Sequence, residues 1–140
     1  MSKISIEDFH SLMAREMPFA YEKGLRLKTL RFGEVSMILP FEDSMLRPGG
    51  TISGPSMMML ADAAMFAVVL SMIGPVALAV TTNFNINFLR KPNPGDILAD
   101  GKIIKLGKRL AVIQVTLFSA NIDDLVAHAT GTYSIPPSIK

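Results

Sequence analysis

The run from Pro55 to Ile73, PSMMMLADAAMFAVVLSMI, constrains this chain more than any other segment. Its 19 residues hold one ionisable side chain, Asp62, and two hydroxyls, Ser56 and Ser71. The flanks predict a helix: Ser53 suits the N-cap, Pro55 suits the first turn, and Gly74-Pro75 closes it. A helix apolar on every face has to be buried on every face, within a protein or a bilayer. The length reaches the lower range for a membrane span. A carboxylate near the centre argues against one, because insertion there costs about 2.5–3.5 kcal/mol. Enclosure by the rest of the chain is the better reading, and it makes Asp62 the residue to explain. An isolated carboxylate is expensive to take out of water unless it is paired or protonated.

With 140 residues, 49% of them hydrophobic and 19% charged, the chain is read as one folded domain spanning 1–140. A domain this apolar is expected to hide some surface in a subunit interface. The absence of cysteine excludes disulfides, a thiolate nucleophile and Cys-based zinc sites, and fits a reducing, cytoplasmic setting. The start, MSKISIEDFH, lacks the apolar stretch of a signal peptide. Two distant histidines, His10 and His128, and no acidic cluster predict neither metal nor cofactor. A net charge of +2 gives no case for nucleic acid. Between Arg90 and Arg109, however, six basic residues (Arg90, Lys91, Lys102, Lys105, Lys108, Arg109) face two acidic ones, Asp96 and Asp100. This is either a solvated strand face or a patch for an anionic, phosphate-bearing ligand.

Ser5, with an acid three residues on, caps a first short helix that Pro18 stops. Alternation then predicts a hairpin around Gly33, with Leu25–Phe32 and Glu34–Leu39 as its strands. Residues 41–52 read as a loop. After the long helix four strands fit: Val76–Leu89, Ile97–Leu106, Leu110–Ala120 and Leu125–Ile135, with Asn121–Asp124 as a turn. In the first of these Phe84, Ile86 and Phe88 share one face and Asn83, Asn85 and Asn87 the other. One apolar helix followed by an antiparallel meander implies an α+β fold, the helix wrapped in a curved sheet.

Two stretches then resemble a known family. Arg47-Pro-Gly-Gly50-Thr-Ile-Ser53-Gly54-Pro55, four residues, Leu60-Ala61-Asp62 keeps the spacing of a pattern written Asn-x-x-Gly-x-x-His-Gly-Gly, four residues, Leu-Ala-Asp. Thr81-Thr-Asn-Phe-Asn-Ile-Asn-Phe-Leu-Arg-Lys-Pro-Asn-Pro-Gly-Asp96 and the close Ala129-Thr-Gly-Thr-Tyr133 are similar to its central strand and last strand. The pattern is that of the hotdog-fold acyl-CoA thioesterases, in the phenylacetyl-CoA thioesterase-like branch. The likeness covers about residues 20–136. Arg47, Ser53 and Pro55 depart from it, standing where the branch has Asn, His and a second Gly. No His stands four residues after Asp62, since Phe66 fills that place, which disfavours the dehydratase chemistry of other hotdog proteins.

The resemblance implies an acyl-CoA thioesterase with coenzyme A as part of the substrate. Asp62 would act as general base on water or as nucleophile. The alternative is a buried aspartate held by backbone or Asn groups. Gly54 would hold the oxyanion at the helix start, through its own N–H or that of Ser56 or Met57, or else merely permit the turn. Thr81 is the positional match for a hydroxyl that orients water, and Asn83 lies beside it. Ser53 is a candidate for contact with substrate or water, but its capping preference makes a plain N-cap the better reading. Pro55 and Asn83 are further substrate-binding candidates, while Arg47, Arg90, Lys91, Lys108 and Arg109 are candidates for the phosphates. The family's site forms between subunits, implying a homodimer or a dimer of dimers, with no nucleic-acid or membrane partner. A non-catalytic acyl-CoA-binding hotdog protein is the rival reading, motivated by the missing Asn and His.

Overall fold

The computed structural model describes residues 1–120 and 124–137. Helix α1 (Ile6–Glu16) starts where the Ser5 hydroxyl accepts from the Asp8 amide. A short α2 (Pro18–Glu22) follows. Strands β1 (Arg26–Arg31) and β2 (Glu34–Leu39) form the expected hairpin around Gly33. Residues 41–52 are more ordered than a loop. They contain a 3-10 turn (Asp43–Met45) and a two-residue hairpin, β3 (Leu46–Arg47) with β4 (Thr51–Ile52).

Helix α3 runs from Gly54 to Ile73. The Ser53 side chain caps it, and Gly74 closes it with φ of 93°, a conformation open to glycine. α3 has the length and composition to cross a membrane, yet most of it is buried inside the fold. Strands β5 (Val80–Phe88), β6 (Ile97–Leu106), β7 (Leu110–Ser119) and β8 (Leu125–Ser134) complete an antiparallel sheet in the order β1-β2-β6-β7-β8-β5. Part of the expected turn at 121–124 lies outside the described residues.

Two differences from the sequence reading place the site. The first expected strand begins only at Val80. The strands after α3 are also not a simple meander: β5 pairs with β8 at the far edge, and β6 returns beside β2. α3 crosses the sheet and delivers the chain to the edge opposite the first hairpin. The inner faces of β2, β6, β7 and β8 pack on it through Val35, Met37, Ile97, Ala99, Ile113, Val115, Leu117, Ala127 and Ala129, all buried. Glycines at the closest approaches let helix and sheet meet. At Gly101 an added Cβ would lie 3.0 Å from Val68 Cγ2, and at Gly131 it would press on Met65. The result is the α+β hotdog arrangement, a long central helix wrapped by a curved antiparallel sheet.

Candidate active site

Asp62 emerges from α3 towards β5 and β8 rather than into bulk water. Residues 55, 58, 59, 62, 63 and 66 follow helical spacing, and their side chains form one stripe along α3. That stripe walls a cavity of about 430 Å³ with Met17, Phe19 and Ala20 from the N-terminal helices, Phe84 of β5 and Tyr133 of β8. Met58, Met59, Ala63 and Phe66 are therefore the apolar neighbours of Asp62 on α3 that reach the pocket, whereas Met65 is turned into the core.

Two hydroxyls hold the carboxylate. Thr81 Oγ1 donates to Asp62 Oδ1 at 2.8 Å, and Tyr133 OH lies 2.8 Å from the same oxygen and 3.0 Å from the Asp62 carbonyl oxygen. Among the described residues Oδ2 has no hydrogen-bond partner, and it is not a sealed polar atom. One oxygen is pinned and the other is left for whatever enters the cavity.

Thr81 reaches Asp62 because of a β-bulge. Opposite Gly131, Ala129 and Ala127 on β8 stand Phe84, Ile86 and Phe88, which puts even-numbered residues on the helix side. Uninterrupted alternation would send Thr81 outward with Asn83, Asn85 and Asn87. The register shift between Thr81 and Asn83 instead sets Thr81 opposite Tyr133, on the inner face. Asn83 stays exposed and lines no part of this cavity.

Tyr133 is the member of the candidate site that sequence reasoning missed. It is 3% exposed, and its ring stacks on Phe66 at 6.2 Å between centroids, with Phe66 against Phe9 at 5.9 Å. Burial first, and the neighbouring Asp62 charge second, push its pKa well above the ordinary value near 10, so it remains a neutral donor. The available signal was on β8 itself: Ala127, Ala129 and Gly131 share a face, and Tyr133 follows them with a hydroxyl that needs a partner once buried.

The start of α3 forms a second, smaller pocket of about 210 Å³, which Arg47, Gly54, Phe88, Arg90 and Lys91 help to line. Here the first-turn donors can be accounted for. The Ser56 amide donates to Ser53 Oγ at 3.3 Å, the Met57 amide to the Ser53 carbonyl at 3.3 Å, and Pro55 has no N–H. Among the described residues the Gly54 amide alone of these has no acceptor. Ser53 is occupied by its cap and by Ser56 Oγ at 3.0 Å. Arg90 donates to the Leu125 carbonyl at 2.8 Å, which fixes its guanidinium at the pocket.

One chain does not bring all the expected residues together. Gly54 and Asp62 are eight positions apart on α3, roughly 12 Å along its axis, and open into different pockets. Lys108 lines a cavity with Ile73 and Pro75 at the other end of α3, and Arg109 is next to it in the β6–β7 turn. These two cations therefore do not join Arg47, Arg90 and Lys91. Among the described residues no three His, Asp or Glu side chains cluster in a way that suits a metal ion.

A family model described as the thioesterase superfamily matches residues 49–126. A crystal structure of a candidate thioesterase from Silicibacter sp. TM1040 is 40% identical, with a TM-score of 0.88 over 98% of this chain and 95% of that one. A variant of the phenylacetic acid degradation protein PaaI from Thermus thermophilus is 28% identical, with a TM-score of 0.76 over 85% and 99% of the two chains. A candidate esterase from Thermoplasma acidophilum is 28% identical over 103 residues, 74% of this chain and 76% of that protein.

Proposed function

The chain belongs to the thioesterase superfamily, and from that premise we propose that it hydrolyses acyl-CoA thioesters, with Asp62 delivering the attacking water. The observation that carries this is the division of labour on one carboxylate that lines an apolar cavity, Oδ1 held by two hydroxyls and Oδ2 without a partner among the described residues. Oδ2 takes a proton from water as its oxygen bonds to the thioester carbon. The C–S bond then breaks, the thiolate of coenzyme A takes the proton from Asp62, restoring the carboxylate, and the acid leaves. Direct attack by Oδ2 on the same carbon is the covalent variant of this chemistry.

The oxyanion needs a donor aimed at it, and the unused Gly54 amide at the positive end of α3 supplies one. Its separation from Asp62 within one chain supports a site shared between two subunits, Gly54 from one and Asp62 from the other. The edge strand β5, with Val80 and Phe88 exposed, provides a surface for the second copy. Arg47, Arg90 and Lys91 around Gly54 suit the phosphates of coenzyme A. Met58, Met59, Phe66 and Phe84 suit an apolar acyl group. The scheme calls for no metal or further cofactor, and the cysteine-free composition suits a cytoplasmic enzyme.

The test is release of free coenzyme A from a panel of aryl- and fatty-acyl-CoAs, wild type against Asp62→Asn. Loss of the base is expected to lower the rate at least ~10²-fold. Equal rates end the proposal. Tight calorimetric binding of intact acyl-CoA without thiol release would favour the binding-protein reading instead.

A further inference from the structure

We propose that Tyr133 is a positioning residue for this reaction, clamping Asp62 Oδ1 so that only Oδ2 meets water. The inference rests on the hydrolase reading of Asp62. Its ground is the way one phenol spans two atoms of one residue, the side-chain Oδ1 at 2.8 Å and the backbone oxygen at 3.0 Å. Contact with both fixes how the carboxylate is rotated relative to its own helix. Thr81, on the neighbouring strand, holds the same Oδ1 from β5. A carboxylate gripped by only one of them could rotate and exchange its oxygens.

Core filling alone does not explain this residue. A phenylalanine ring would stack on Phe66 equally well, and a buried hydroxyl is costly without partners. Both acceptors the hydroxyl reaches belong to the one acidic residue of α3, and the Thr81 hydroxyl lies beside it. The phenol stays protonated, so it lends Asp62 a hydrogen bond without competing for the water's proton.

Tyr133→Phe keeps the ring and removes the clamp. We expect kcat to fall about 10-fold, in line with the sensitivity of rate to sub-ångström misplacement, while KM stays within about twofold. The acidic limb of kcat/KM against pH moves to higher pH, because the carboxylate form has lost a donor. Thr81→Val is expected to do the same, and the double variant to deviate from additivity because both act on one oxygen. A purely structural tyrosine would lower the melting temperature and leave the limb in place. An unmoved limb with wild-type kcat overturns the proposal.

Should Tyr133→Phe fail to fold, fluorotyrosine incorporated in a Tyr21→Phe background labels Tyr133 alone, since the chain has two tyrosines. The more acidic phenol donates more strongly and moves the limb down; an unmoved limb again refutes the clamp. Asp62→Asn run alongside separates the two claims. If it turns over normally, the hydrolase reading and the clamp both fall. If it is inactive while Tyr133→Phe is wild-type in rate and profile, only the clamp falls.

Discussion

Gly131 is where the fold and the site are mechanically joined, and Gly131→Ala tests that junction. Gly131 is buried on the inner face of β8, two residues before Tyr133. A Cβ there would collide with Met65 Sδ and lie 3.0 Å from Met65 Cε and 3.1 Å from the Asn83 carbonyl oxygen. The methionine tip can bend away; the carbonyl, fixed in the β5–β8 ladder, cannot. Overpacking of this kind costs about 1–3 kcal/mol. At about 2.1 cal/mol/K of unfolding entropy per residue, a chain of 140 residues loses roughly 3 °C of Tm for each kcal/mol. The expected fall is therefore about 3–10 °C by calorimetry at fixed protein concentration. Met65→Val removes both methionine atoms named, so the double variant should recover part of the loss and leave the Asn83 share. Since β8 must then shift against β5, Tyr133 and Thr81 shift relative to each other at Asp62, and kcat should fall with Tm. A single variant that melts within about 1 °C of wild type, or a pair additive to within about 0.5 kcal/mol, would refute this account of the packing.

Ser71→Ala tests the other end of α3. Ser71 Oγ accepts from the Gly33 amide at 2.9 Å and donates to the Val68 carbonyl at 2.6 Å, fully buried. An orphaned buried amide costs about 1–3 kcal/mol, and thermal unfolding should show it while kcat at permissive temperature is unchanged. Stability should also fall on both sides of neutrality. His10 Nε2 accepts from the Leu27 amide at 2.9 Å, and burial first, then Arg26, lower its pKa from the ordinary 6.5. Its contribution is present above about pH 6.5 and is lost as pH falls through the lowered value. The acid-side drop in urea midpoint should be smaller in His10→Gln. Tyr133, raised in the folded chain, works in the opposite sense. Its contribution is full below about pH 10 and declines above it by up to about 1.4 kcal/mol per pH unit, a loss that Tyr133→Phe should abolish.

Much of this architecture was legible because it is written locally. Ser5 and Ser53 cap the helices they precede, Gly33 and Gly74 stand where the chain reverses or stops, and β6 occupies the ten residues that alternation assigned to it. What was not legible depends on partners distant in sequence. The bulge that turns Thr81 inward is one extra residue in a run of small polar side chains, with no local signature. The Tyr133–Asp62 contact joins residues 71 positions apart. The basic cluster misled for a geometric reason. Arg90 and Lys91 precede β6, whereas Lys108 and Arg109 follow it. At ~3.3 Å per residue, a strand of ten residues carries its ends roughly 30 Å apart. Proximity in sequence therefore became separation in space.

Two of the three departures from the branch pattern look different once their surroundings are known. Ser53 replaces the usual His, and its hydroxyl is occupied by the cap of α3, so it is poorly placed to orient substrate. Arg47 replaces the usual Asn and stands with Arg90 and Lys91 around the Gly54 amide, where a cation favours anion binding over the ordering of a neutral water. Within one chain neither replacement reaches Asp62, whose orientation comes from Thr81 on β5 and Tyr133 on β8. The carboxylate thus keeps its geometry independently of the loop that was altered. On this reading the departures change how coenzyme A is gripped at the helix start and leave the hydrolytic end intact, which is why Asp62→Asn and Tyr133→Phe, rather than changes at residue 47 or 53, decide whether this chain is an enzyme.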